Sequence, residues 1–165
     1  MTRAVLSIGS NLGDRLAHLR TAVAGLTGVL VAASPVYETR PWGVEDQPDF
    51  LNAVLIVEDP EADEWAWLHR AQALEQKAGR VRTRHWGPRT LDVDVVTVDG
   101  VTSDHPDLLL PHPGTPDRAT VLIPWLAVDP AAELPGRGPL TELLSALAEE
   151  DRAGVHLRAD LTLTP

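Results

Sequence analysis

Asp92 and Asp94 stand two residues apart, directly behind the run Gly79-Arg-Val-Arg-Thr-Arg-His-Trp-Gly-Pro-Arg89. On a strand their carboxylates would leave the same face, because strand side chains alternate. Two carboxylates can hold Mg²⁺, and Arg80, Arg82, Arg84 and Arg89 can neutralise the oxygens of a transferring phosphoryl group. Arginine is used here almost to the exclusion of lysine, and its planar fork grips phosphate oxygens bidentately. Trp86-Gly-Pro would fix Arg89 relative to the strand. Gly79 and the length of the run predict a mobile loop that closes over a triphosphate. An exposed turn of solvated arginines, with structural salt bridges to the aspartates, is the alternative. The excess of positive charge favours the metal and phosphate reading.

The rest of the chain sharpens that contrast. Its net charge is -10, with 14 basic residues in all. Five of these, Lys77 and the four arginines, fall within thirteen positions. A local cation cluster on an anionic protein points to a small, highly charged anion and argues against nucleic acid as the main partner. From Glu45 to Glu64 there are eight acidic residues and no basic one, read as a solvated rim interrupted by a strand. A length of 165 residues fits a single domain, 1–165. There are no cysteines, which excludes disulfides and thiolate metal sites. The first apolar run is too short for a signal peptide or a membrane span. A cytoplasmic monomer without membrane contact is the expectation.

The elements that must position these groups follow from periodicity. Arg3–Ile8 reads as a strand and Asp14 opens a helix with Leu16, Leu19, Val23 and Leu26 at helical spacing. Val29–Val36 reads as a second strand running into Tyr37-Glu-Thr, and 40–48 as a loop. Phe50–Val57 reads as a third strand, Asp63–Ala78 as a helix, and Leu91–Val98 as a fourth strand before the Asp99-Gly100 turn. On that strand Leu91, Val93 and Val95 share one face, and Asp92, Asp94, Val96 and Val98 the other. The order β-α-β-β-α-β predicts an α+β, ferredoxin-like antiparallel sheet with helices on one face. Beyond it, Leu108–Leu110 suggests a short strand, Asp117 a cap for a helix to about Val128, and Pro139–Ala148 a C-terminal helix with Leu140, Leu143, Leu144 and Leu147 on one side.

No G-x-x-x-x-G-K-[ST] or G-x-G-x-x-G occurs, so Walker and Rossmann nucleotide sites are not expected. His18, His69, His105 and His156 show no metal-like spacing. His112 lies between two prolines, which suits a residue that must point at something and equally suits a rigid turn.

Five ordered blocks resemble the 6-hydroxymethyl-7,8-dihydropterin pyrophosphokinase family. They are Ile8-Gly-Ser-Asn-Leu-Gly-Asp14, Ser34-Pro-Val-Tyr-Glu-Thr39, Asp46-Gln-Pro-Asp-Phe-Leu-Asn-Ala53, Gly79-Arg80 through Trp86-Gly-Pro-Arg-Thr-Leu-Asp-Val-Asp94, and Leu110-Pro-His-Pro113 with Arg118. No motif covers the chain after Pro130. The resemblance implies transfer of diphosphate from ATP to the pterin hydroxymethyl group with release of AMP, in folate biosynthesis. It implies two Mg²⁺ ions bridged by Asp92 and Asp94, with Arg80 and Arg89 as further catalytic groups. It implies nucleotide contacts at Gln72, Glu75, Arg80, Arg82, Arg89, His112 and Arg118. The pterin is expected near Thr39, Trp42, Phe50 and Asn52, with Trp86 on the closing loop.

The chemistry of those residues is compatible. Phe50 can stack on a flat ring, and Asn52, on the same strand face, offers donor and acceptor to the pterin edge. A core aromatic and a polar sheet-edge residue are the plainer readings of the two. Two departures from the family pattern stand out. Thr83 sits near where a further cation is common, with Arg84 as its replacement. Thr120 occupies the position of the usual second aromatic wall, a place that Trp42 could fill. A Mg²⁺-dependent phosphoryl transferase with another acceptor, and a non-catalytic ATP-binding ferredoxin-like module, are the competing functions.

Overall fold

The first apolar run becomes β1 (Thr2–Ser10), an inner strand of the sheet in a computed structural model that describes residues 2–39, 49–79 and 90–164. Asp14 accepts a hydrogen bond from the Ala17 N–H at 3.1 Å and starts α1 (Arg15–Ala24), satisfying one of the donors a helix start leaves without a partner. β2 (Leu30–Ala33), β3 (Tyr37–Thr39) and β4 (Phe50–Asp59) follow. Asp63 caps α2 (Glu64–Lys77) through the Ala66 N–H at 2.8 Å. β5 (Asp92–Val98) leads into a turn where Gly100 takes φ 75°, a conformation that glycine adopts at least cost. β6 (Ser103–His105) and β7 (Leu108–Leu110) pair as a hairpin. After a single 3-10 turn come α3 (Ala119–Val128), the ribbon of β8 (Glu133–Leu134) and β9 (Gly138–Pro139), α4 (Leu140–Ser145), α5 (Glu149–Ala153) and β10 (Val155–Leu157).

Among the described residues, six strands form one antiparallel sheet in the order β10-β3-β4-β1-β5, with β2 also paired to β4. This is the expected ferredoxin-like α+β arrangement. One face carries α1 and α2, where Leu6, Ile8, Leu51, Leu55 and Val95 meet Leu19, Leu26, Trp67 and Leu74. The other face carries α3 and the C-terminal segment, where Val5, Val54, Ile56 and Val96 meet Leu122, Trp125, Leu134 and Leu140. Helices therefore cover both faces, not one. The run Val121-Leu-Ile-Pro-Trp-Leu is apolar enough to need a partner, and the second sheet face supplies it. None of the helices among the described residues is long and apolar enough to cross a membrane.

Four further details depart from the sequence reading. The single strand expected from Val29 is two, β2 and β3, lying end to end along β4. Pro35 has no N–H to donate, and the Ser34 hydroxyl takes the Val54 N–H at 2.9 Å across the break. On β5, Val98 joins the α1 and α2 core although Val96 faces α3, because the pairing with β1 shifts register between Val5 and Leu6. One extra residue in a ladder reverses the phase of all that follow. The C-terminal helix stops at Ser145, where the chain tightens into an i→i+3 bond from the Leu147 N–H to the Leu144 carbonyl. The C-terminal strand β10, which has no counterpart in the sequence reading, extends the sheet beyond β3.

Leu140 lies beyond every recognised motif yet is fully buried against α3 and the sheet. Leu140→Ala is expected to lower unfolding free energy by about 2–5 kcal/mol. Urea denaturation should show this as an earlier, still single transition.

Candidate active site

The site begins as a row of residues across three strands. Asn52 on β4 pairs with Gly9 on β1, and Gly9 pairs with Asp92 on β5. Residues opposite one another in a ladder share a face. Asn52 and Asp92 therefore project from the α3 face on either side of a position with no side chain. Phe50 and Asp94 sit two residues further along their own strands, on the same face. A Cβ at Gly9 would lie 2.8 Å from Asn52 Oδ1 and 3.5 Å from the Phe50 ring. Glycine is what lets those two side chains lean across β1.

Thr39 completes this shelf. It pairs with Phe50 at the end of β3, is buried, and its hydroxyl accepts a 2.6 Å hydrogen bond from Asn52 Nδ2. That bond orients the Asn52 amide. The expected pterin residues Thr39, Phe50 and Asn52 thus come together on half-buried, pre-oriented backbone.

A second compartment flanks the outer side of β5. It is a cleft of about 500 Å³, and its lining includes Gln72 and Glu75 from α2, Asp94 from β5, and His112. Its apolar part comes from Trp65, Leu68, Leu108 and Leu109. Glu75 is buried, and its carboxylate accepts the Val93 N–H at 2.9 Å. The His112 N–H donates to the Val96 carbonyl at 2.8 Å. Helix α2 and the 112 turn thus attach themselves to the open edge of β5.

The His112 side chain has a defined state. Burial, helped by the Arg118 cation, holds its imidazole below the usual value of 6.5, while Asp92 pulls the other way. Its Nδ1 accepts a long 3.4 Å bond from the Gly114 N–H, which leaves Nε2 to carry the proton of the neutral ring. Arg118, at the start of α3, lies so close over Gly114 that a Cβ there would fall 2.8 Å from its guanidinium carbon. Gln72 and Glu75 of α2 and the distant His112 therefore line one cleft beside β5, and Arg118 stands against the 112–114 turn.

Trp42, Arg80, Arg82, Arg84, Trp86 and Arg89 lie outside the described residues. Thr120 is half-buried in the first turn of α3. His69 belongs to the cleft lining, which sequence reasoning did not find. The signal was present: Trp65, Leu68, His69, Gln72 and Glu75 recur at helical spacing on α2. The first family block contains Gly9 without assigning it a role. Its role as a gap between two side chains depends on strand pairing, which its own sequence neighbourhood does not record.

Two expectations follow from this geometry. Gly9→Ala should destabilise the fold by about 1–3 kcal/mol through overpacking, and much less in an Asn52→Ala background, where the obstacle is gone. Urea unfolding of the four proteins in that cycle measures the coupling. The His112 imidazole should titrate below 6.5 in an NMR pH series. The unfolded chain then takes up this proton first, so stability should begin to fall as pH drops through 6.5 and level off below the folded value. A midpoint at or above 6.5 would contradict the burial argument.

Known proteins resemble this chain along most of its length. A family model described as 7,8-dihydro-6-hydroxymethylpterin-pyrophosphokinase matches residues 5–130. The 2-amino-4-hydroxy-6-hydroxymethyldihydropteridine pyrophosphokinase of Mycobacterium tuberculosis (strain CDC 1551 / Oshkosh) is 52% identical over 169 residues, covering 95% of this chain and 90% of its own. The protein of the same name from Methylorubrum extorquens is 39% identical over 160 residues, covering 94% and 98%. A solved structure described as HPPK-DHPS in complex with substrates superposes with a TM-score of 0.69 at 13% identity, over 88% of this chain and 43% of that one. The wild-type HPPK-DHPS of Plasmodium falciparum gives 0.67 at 12% identity, over 87% and 44%. This chain spans less than half of those two structures, and the likeness to them is one of fold.

Proposed function

We infer what this chain does from the premise that it belongs to the 7,8-dihydro-6-hydroxymethylpterin-pyrophosphokinase family. It is an ATP-dependent diphosphotransferase. It moves the β,γ-diphosphate of ATP to the hydroxymethyl group of 6-hydroxymethyl-7,8-dihydropterin and releases AMP, a step of folate biosynthesis. The observation that supports placing the reaction is the row Asn52, Gly9, Asp92, with Asp94 reaching the cleft. The shelf and the cleft meet at the two aspartates.

In this reading the pterin lies on the shelf. Phe50 stacks on its ring, and the Asn52 amide, oriented by Thr39, matches its edge of donors and acceptors. An analogue lacking those groups would leave a half-buried amide without its partner and be rejected. Trp42 and Trp86, outside the described residues, are assigned to the pterin by the family resemblance alone. ATP occupies the cleft, its base against Trp65 and Leu68, with Gln72, Glu75 and His112 around it and Arg118 near His112. Arg80, Arg82 and Arg89 neutralise the phosphates.

Asp92 and Asp94 fit a pair of Mg²⁺ ions. Both are half-buried carboxylates on one strand face, and no group of three metal-ligating side chains occurs among the described residues. Mg²⁺ needs no such group when phosphate oxygens and water complete its shell. The ions would supply charge neutralisation at the β- and γ-phosphates and at the leaving AMP oxygen. The pterin hydroxyl oxygen forms a bond to Pβ, and the bond from Pβ to the α,β-bridging oxygen breaks. The bridging oxygen leaves on AMP, and the hydroxyl proton passes to solvent. The side chains contribute alignment and charge rather than covalent chemistry. We propose that residues 1–165 act as one domain, as a monomer, in the cytoplasm where ATP is available.

With ATP, Mg²⁺ and the reduced pterin alcohol together, the chain should produce AMP, and with any one omitted it should not. Asp92→Asn and Asp94→Asn should each reduce kcat by at least about a hundredfold, with the thermal transition retained. ADP as main product would assign a different acceptor chemistry. Loss of stability with activity surviving in the folded fraction would make the aspartates structural.

A further inference from the structure

The back of the pterin shelf carries an ion-pair cluster that the reaction as described does not use. Glu38 is the central residue of β3, immediately before Thr39, and pairs with Leu51. Its side chain therefore leaves the sheet on the α1 face, opposite Thr39 and Asn52. It accepts hydrogen bonds from Arg15 Nη1 at 2.6 Å and from Arg158 Nη1 at 2.9 Å. The same Arg15 nitrogen donates to the Asp49 carbonyl at 2.9 Å. Asp49 directly precedes Phe50. One guanidinium thus joins both strands at the Thr39–Phe50 pair, the last rung before the chain leaves each strand.

Arg158 adds a second tie. It follows β10, which pairs Val155 with Thr39 and His156 with Glu38, and its N–H donates to the Val36 carbonyl at 2.8 Å. Asp160 holds the far side of its guanidinium at 2.9 Å. The Arg15 hydrogen bond, with Arg158 supporting it, keeps the Glu38 carboxyl below its usual range, so the cluster is ionised at working pH. Charge-assisted bonds of this kind are stronger and more directional than neutral ones.

We propose that Arg15 and Arg158, acting through Glu38, are positioning residues for the pterin: they hold the Thr39 and Phe50 ends of β3 and β4 in register from behind the sheet. This rests on the reading of the shelf as the pterin site. It also gives a task to the segment after Pro130, whose strand and arginine reach back to the shelf. β3 has three residues, the short end of the usual range for a strand, so few ladder bonds hold its end. A displacement of about 1 Å at a reacting or stacking group can cost up to a hundredfold in rate or binding.

The test compares Glu38→Gln and Arg15→Ala with Arg3→Ala. Arg3 makes a similar ion pair with Glu58 on the same sheet, at the end away from the shelf. Calorimetric titration with the reduced pterin, in the presence of a non-hydrolysable ATP analogue, is read beside KM for each substrate, kcat and the thermal transition. Glu38→Gln and Arg15→Ala should weaken the pterin about tenfold. The ATP analogue and kcat should stay within about twofold, and Arg3→Ala should change neither substrate. Pterin binding within twofold of the unaltered chain in both shelf variants, with only the thermal transition lowered, would overturn the inference and leave the function standing. An equal loss for both substrates would overturn it as well. An unaltered chain that binds no pterin would remove the functional reading and this inference together.

Discussion

Everything in the site depends on β1 being shared. It pairs with β4 along nine residues and with β5 on its other side, so Asn52 and Asp92, forty positions apart in the chain, are brought onto one row. The row works because Gly9 contributes no side chain. Asn52 and Phe50 lean into the space above it, and Asp92 stands on its far side. A larger residue at that point would separate the recognition groups from the charged ones. The close approach requires glycine for lack of room, not for backbone freedom.

The outer edge of β5 is the second constraint. A strand edge presents unpaired N–H and C=O groups that must be covered. Here the Glu75 carboxylate takes the Val93 N–H, and the His112 N–H goes to the Val96 carbonyl. Closing the edge with a helix side chain and a turn, rather than another strand, leaves a cleft between them. It also brings three carboxylates to one strand, the buried Glu75 from α2 and the half-buried Asp92 and Asp94 on β5. Burying negative charge is costly unless cations or hydrogen bonds answer it. Part of that demand is met by the Val93 N–H; the Mg²⁺ ions of the proposed reaction would supply charge of the opposite sign.

The second layer of helix gives the sheet its other partner. With α3, Trp125 and Leu122 seal the face beneath Val54 and Ile56, while Arg118 and His112 stand at the helix start beside β5. The C-terminal segment continues this layer through Leu134 and Leu140, then crosses to the opposite edge of the sheet as β10. The α3 core and the shelf end of β3 are thus tied by one stretch of chain, with packing at one end and ion pairs at the other.

By itself the sequence determined the alternation of strands and helices through Val98, the helix start at Asp14, the α+β fold and the family. Those depend on local periodicity, on single capping residues and on ordered motifs, all of which are written in neighbouring positions. It also placed Thr39, Phe50 and Asn52 together, because alternation on a strand and the family pattern agree. The tertiary structure alone decided the rest. The break at Ser34-Pro35 and the reversed face of Val98 follow from how β4 and β1 meet their partners. The covering of the second sheet face by α3 follows from where an apolar helix finds an apolar surface. The role of Gly9 lies across paired strands, and the Arg15–Glu38–Arg158 cluster joins residues 23 and 120 positions apart. Their meaning is a distance between side chains, and distance across a sheet is set by register, which no single stretch of the chain contains.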